Sequence, residues 1–143
     1  EGESFDVEGG IRITTVSGNH PGGVLAYRVD YNGKSVVYAT DTEHFADRLD
    51  ERMVKLAKSA DVFIYDSQYT PEEYAGTAGG RSKVGWGHST FEEAVKLGLL
   101  EDESGNFAIA VIPKPGSSWS HSRRTWCGTA ADAAATPTSG SAR

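Results

Sequence analysis

The sequence predicts an α/β domain, a mixed sheet with flanking helices, followed by an irregular tail. Three observations predict it. The first third is rich in strand formers and carries an Asn-Gly turn signal. The apolar period then lengthens from two to between three and four. Short, almost wholly apolar runs recur between the helical segments.

Taken in order, residues 1–9 (EGESFDVEG) are acidic and Gly-rich and read as a loose lead-in. IRITTV (11–16) alternates apolar and polar side chains, as a half-buried strand does. GVLAYRVDY (23–31) and KSVVYAT (34–40) flank Asn32-Gly33, the favoured dipeptide of a type I′ turn, and predict an antiparallel hairpin. Phe45, Leu49, Met53, Leu56, Ala57 and Ala60 then fall at helical spacing and predict a helix over 44–60. DVFIYD (61–66) suits a strand buried on both faces. Thr70-Pro71-Glu72-Glu73 is a capping box with proline at the first helical position, so a short helix opens there. Residues 75–87 form a Gly-rich loop. Ser89 with Glu92 makes a second capping box, opening a helix over 90–100 with Phe91, Ala94, Val95 and Gly98 inward. FAIAVI (107–112) is a further buried strand.

Composition changes after Pro115. Residues 117–143 contain no Val, Leu, Ile, Met or Phe, so little apolar area opposes the entropy cost of ordering them. A domain over 1–115 and a disordered tail over 116–143 are therefore expected, the tail reading as non-native sequence as readily as a functional extension. A chain of 143 residues suits one domain. The lone Cys127 excludes an intramolecular disulfide and a cysteine-rich zinc site. The net charge of −6 gives no strong nucleic-acid signal. No run approaches the roughly 18 apolar residues of a membrane span. No leader is visible; Glu1 reads as an internal or processed start, and a cytoplasmic location is expected.

Polar groups with chemical potential lie where strands should end. Asp41 closes the second hairpin strand, Asp66 closes the next strand, and His20 precedes Pro21-Gly22-Gly23. The crevice beyond strand ends is the usual ligand site of open α/β sheets. Each residue also has an ordinary reading as a cap or turn former. His88 lies in Gly85-Trp86-Gly87-His88-Ser89-Thr90, directly before a capped helix. Unpaired amides and the helix dipole favour an anion there, and an imidazole can bind it or move a proton.

HPGGVLAYRV, GKSVVYATDTEH, ADVFIYDSQYTPEEY and GWGHSTFEEAVKLG, in that order over residues 19–100, resemble the second half of a metallo-β-lactamase-fold hydrolase. The likeness is greatest to the ribonuclease Z and class II cyclic-nucleotide phosphodiesterase branch. It implies half of an αββα sandwich, with zinc or another divalent metal as cofactor and two ions in intact relatives. It makes His20 and Asp41 metal ligands, His88 the proton donor in phosphodiester cleavage, and Asp66 the carboxylate orienting His88.

The chain also departs from that pattern. The main ligand cluster, His-x-His-x-Asp-His, is absent, and Pro113-Lys114-Pro115 stands where a closing ligand histidine should follow the last strand. His44 and His121 occupy no ligand position; His44 reads as a solvated first-turn residue. Catalytic zinc normally has three protein ligands, so a chain offering two should not assemble the site alone. One expectation is thus a hydrolase fragment, with a phosphodiester or small-molecule substrate, needing the missing N-terminal half of the fold. The alternative is a non-catalytic interaction or oligomerisation module, because half a sandwich leaves a sheet face that a second copy would cover. A metal-free nucleotide site at the helix after His88 is a third, without a Walker-type or dinucleotide fingerprint behind it.

Overall fold

A computed structural model describes residues 2–101 and 108–112. Six strands form one sheet in sequence order. β1 (Glu3–Val7), β2 (Ile11–Ser17), β3 (Leu25–Tyr31) and β4 (Lys34–Ala39) pair antiparallel, each with the next. β5 (Val62–Asp66) and β6 (Ala108–Ile112) continue the sheet parallel to β4. The connections carry α1 (Glu51–Ala57), α2 (Pro71–Ala75) and α3 (Phe91–Glu101). The mixed sheet with flanking helices is the α/β architecture expected.

The β3–β4 turn follows from its two residues. Asn32 and Gly33 both adopt positive φ, 49° and 72°, as a type I′ turn requires. That sets the register Tyr31↔Lys34, Val29↔Val36 and Tyr27↔Tyr38. Alternation along β4 then sends Ser35, Val37 and Ala39 inward and Val36 and Tyr38 outward. Val37 and Ala39 pack with Ala26, Met53, Leu56, Phe63, Tyr65, Ala94 and Leu97 into one core between the sheet and helices α1 and α3. The Arg28 guanidinium joins the two layers: it donates to Asp30 and to the carbonyls of Leu56 and Lys58 at the end of α1, where helix carbonyls lack partners and a cation suits the dipole.

The other sheet face is open. Phe5, Leu25, Tyr27, Val29, Tyr31, Val36 and Tyr38 remain between 37% and 56% exposed. Single exposed apolar residues need no explanation, but a contiguous set across β1, β3 and β4 does.

Three expectations need correction. The lead-in is not loose: residues 3–7 form β1, paired with β2 from Glu3↔Thr15 to Val7↔Ile11. Gly9 and Gly10, both at positive φ, are its hairpin turn, and cross-strand Ser4–Thr14 and Asp6–Arg12 contacts tie it down. The first helix spans 51–57 rather than 44–60. Asp50 caps it by accepting the Arg52 amide, while the Glu43 and His44 amides are committed to Asn19 and Ser89. The third helix is capped by Thr90, whose hydroxyl accepts the Glu93 amide; the Ser89 hydroxyl instead donates to the Thr42 carbonyl. The Thr70 capping box with Pro71 is present as expected. The tail over 116–143 and the boundary at 115 lie outside the described residues. Among the described residues no helix is long and apolar enough to cross a membrane.

Two measurable outcomes follow. Gly33→Val places a β-branched residue at positive φ and should lower the unfolding free energy by about 1–2 kcal/mol, read by urea denaturation. Asp61 accepts from the Lys34 ammonium and the Ser35 amide, and these hold its carboxyl below the usual range. A depressed folded pKa gives stability that is complete above the unfolded value, about 4. It is lost as pH falls through the lower folded value. Asp61→Asn should therefore flatten the fall of stability over that acidic window and leave the neutral-to-basic side of the curve unchanged in shape.

Candidate metal centre

The four candidate residues come from four segments that meet at one rim of the sheet. β4 and β5 run parallel, so their C-terminal ends lie together. Asp41 follows β4 by two residues, and Asp66 is the last residue of β5. His20 sits in the β2–β3 turn, and His88 in the loop before α3. The His20 and His88 rings meet edge to face, with centroids 5.9 Å apart. Ligand atoms of Asp41, Asp66 and His88 all lie within 4.8 Å of one another. Three of the four residues that the sequence singled out, Asp41, Asp66 and His88, thus converge within ligand reach, while His20 lies beside the His88 ring but outside that cluster.

Asp66 organises the rim. Its carboxylate is buried, 6% exposed, and accepts four hydrogen bonds. One oxygen takes the Asp41 amide at 2.9 Å and His88 Nδ1 at 2.8 Å. The other takes the amides of Ser89 at 2.9 Å and Gln68 at 3.2 Å. A buried carboxylate needs such partners, and these leave its lone pairs engaged. Because a carboxylate only accepts, His88 Nδ1 must carry the proton, which leaves Nε2 with a free lone pair. A histidine held in this way is suited to bind a cation or to exchange a proton at Nε2.

Asp41 differs. Its side chain is exposed, and its backbone is left-handed at φ 56°. Aspartate is among the few residues that tolerate that conformation. The Thr40 hydroxyl donates to one of its oxygens, leaving the other open. His20 is held in the opposite sense to His88: its Nδ1 accepts the Gly22 amide at 3.0 Å. The neutral ring must then carry its proton on Nε2.

Glu43 was not singled out in the sequence. It is only 6% exposed and accepts from the Tyr74 hydroxyl, the Gly85 amide at 2.7 Å and the Gly87 amide at 2.8 Å. Burial alone would raise its pKa, but the Tyr74 hydroxyl and the two amides outweigh this and hold the carboxyl below its usual range. The sequence signal was indirect. A Gly-rich loop presents amides that need acceptors once it docks, and nothing local names the acceptor. His44 corrects the solvated reading. It is half-buried, its ring 4.6 Å from that of Tyr74, its Nδ1 beside Ser89 Oγ, and burial lowers its pKa. His121 lies outside the described residues.

The donor chemistry fits a divalent cation in part. Asp41 and His88 Nε2 offer open lone pairs. His20 must give up its bond from Gly22 or its Nε2 proton to ligate, and Asp66 must release one of its donors. Among the described residues this is fewer than the three protein ligands of a catalytic zinc site.

Comparison with known proteins bears on the fold. The family profile described as "Beta-lactamase superfamily domain" matches residues 1–130. Among solved structures, the chain is similar to the metallo-beta-lactamase fold protein YhfI from Bacillus subtilis, with a TM-score of 0.59 and 18% identity over 80% of this chain and 40% of that one. It is also similar to human tRNase Z, short form, with a TM-score of 0.53 and 16% identity over 77% of this chain and 39% of that one. At these identities the likeness shows the fold alone. The chain thus spans about two fifths of the length of each of these two structures. Comparison with curated proteins gives no match.

Two substitutions test the geometry. A Cβ on Gly87 would lie 2.1 Å from His20 Cδ2, and Gly87 sits at φ 85°. Gly87→Ala should therefore move the His20 ring and cost about 1 kcal/mol or more; histidine chemical shifts and a denaturation curve read both. Asp66→Asn removes the charge and one acceptor from a four-donor carboxylate. It should lower the unfolding free energy by about 1–3 kcal/mol and release the His88 ring.

Proposed function

The chain belongs to the beta-lactamase superfamily, and on that premise we propose that it is the C-terminal half of a metal-dependent phosphodiester hydrolase of the ribonuclease Z and class II cyclic-nucleotide phosphodiesterase type. The observation that carries this reading is the His88–Asp66 pair, with the Asp41 amide on the same carboxylate oxygen. Asp66 fixes the ring and stabilises it when charged. His88 Nε2, directed away from that bond, holds a proton and delivers it to the leaving oxygen of a phosphodiester. Asp41 and His20 are the ligands this chain supplies to zinc or another divalent ion. When bound, such ions supply polarisation of a phosphoryl oxygen and activation of water. The remaining ligands come from polypeptide outside this chain.

Elemental analysis of the purified protein, with a bis(p-nitrophenyl) phosphate assay, tests the incomplete site. The expected result is weak metal retention and no turnover by the chain alone. Tight binding of two metal ions per chain with turnover would contradict it. In a complete parent enzyme, His88→Ala should reduce turnover about 10²–10⁴-fold while metal content holds.

A second reading has its own observation, the exposed apolar row from Phe5 to Tyr38. It makes the chain a non-catalytic module whose open sheet face meets a second copy or the missing half of the fold. Light scattering should then show a dimer or larger species. A clean monomer that binds no hydrophobic dye would count against this reading.

A further inference from the structure

The geometry points to Glu43 as a positioning residue that sets both imidazoles, through its main chain on the His20 side and its carboxylate on the His88 side. Its amide donates to the Asn19 carbonyl at 2.8 Å, and its own carbonyl accepts from Asn19 Nδ2 at 3.1 Å. The neighbouring Thr42 hydroxyl accepts the Asn19 amide at 3.0 Å. Together these fasten the residue immediately before His20. On the other side, the carboxylate takes the amides of Gly85 and Gly87, the second being the residue immediately before His88. The Tyr74 hydroxyl on the same carboxylate ties the far end of the Gly-rich loop to that point.

The loop is therefore held by two buried carboxylates that share the work. Glu43 takes the amides of residues 85 and 87, while Asp66 takes the His88 ring and the Ser89 amide. Gly85 and Gly87, at φ 82° and 85°, turn their backbones as this arrangement requires. Asp66 alone orients the His88 ring but fixes nothing on the His20 side. Glu43 and its neighbour Thr42 both touch the segments carrying the two rings, which stand 5.9 Å apart; Thr42 reaches the Ser89 hydroxyl after His88, whereas Glu43 holds the loop amides before it. Its effect on turnover rests on the function proposed above. The placement does not, and it is measured with neither substrate nor metal.

The experiment is Glu43→Gln, read by amide hydrogen exchange and by Overhauser contacts between the two histidine rings. A glutamine keeps the length but offers one carbonyl oxygen, so it leaves Gly85 or Gly87 facing an NH₂ group. Exchange at one or both glycines should rise about tenfold or more. The Ser89 amide, held by Asp66, should change little, and the His20–His88 contact should weaken. Unchanged exchange at both glycines would overturn the proposal. So would a uniform rise at every amide, which marks general destabilisation rather than placement. Should Glu43→Gln fail to fold, Glu43→Asp keeps the charge, shortens the reach by one methylene, and is judged by the same readings.

Discussion

One buried carboxylate constrains this structure more than any other group. Asp66 sits at the end of β5 with both oxygens engaged, and its four donors come from β5's own exit, from the residue beyond β4 and from the loop before α3. An ionised group at 6% exposure is tolerable only with such compensation. The requirement runs both ways. The charge needs the donors, and the donors acquire fixed positions from the charge. Asp41 owes the placement of its amide to Asp66, and His88 owes its ring orientation and tautomer to it.

The topology makes this economical. Parallel pairing of β4 and β5 brings their ends to one rim, and α1 and α3 pack on the same side of the sheet, so the loops leading into them cross that rim. Small inward side chains, Ala26, Ala39 and Ser35 among them, are buried on the helix-bearing face of the sheet. The rim is thus polar and heavily hydrogen-bonded, beside a core that is otherwise apolar. The chain spans about two fifths of each of the two solved structures compared.

Much of the fold was legible because its signals are local. Asn32-Gly33 specifies its own turn, and Thr70-Pro71 with Glu73 specifies its own helix start. The misreadings share a cause. Residues 3–7 are a strand because β2 lies beside them, and the segment ahead of the Asp50 cap is tied to Asn19 and Ser89 through the Glu43 and His44 amides. Those partners are distant in sequence, so periodicity could not reveal them. The site divides in the same way. His20, Asp41, Asp66 and His88 could be read from strand ends and motif resemblance. Glu43 could not, because its importance lies in accepting backbone amides some forty residues away.

The most direct test of the account is the tautomeric state of two histidines in the metal-free chain, read by long-range nitrogen–proton correlation at a pH where both are neutral. The geometry requires opposite states. His88 should carry its proton on Nδ1, donated to Asp66, and His20 should carry its proton on Nε2, with Nδ1 accepting from Gly22. Rings that both show the same tautomer, or that average freely between the two, would contradict the rim described here and the chemistry built on it.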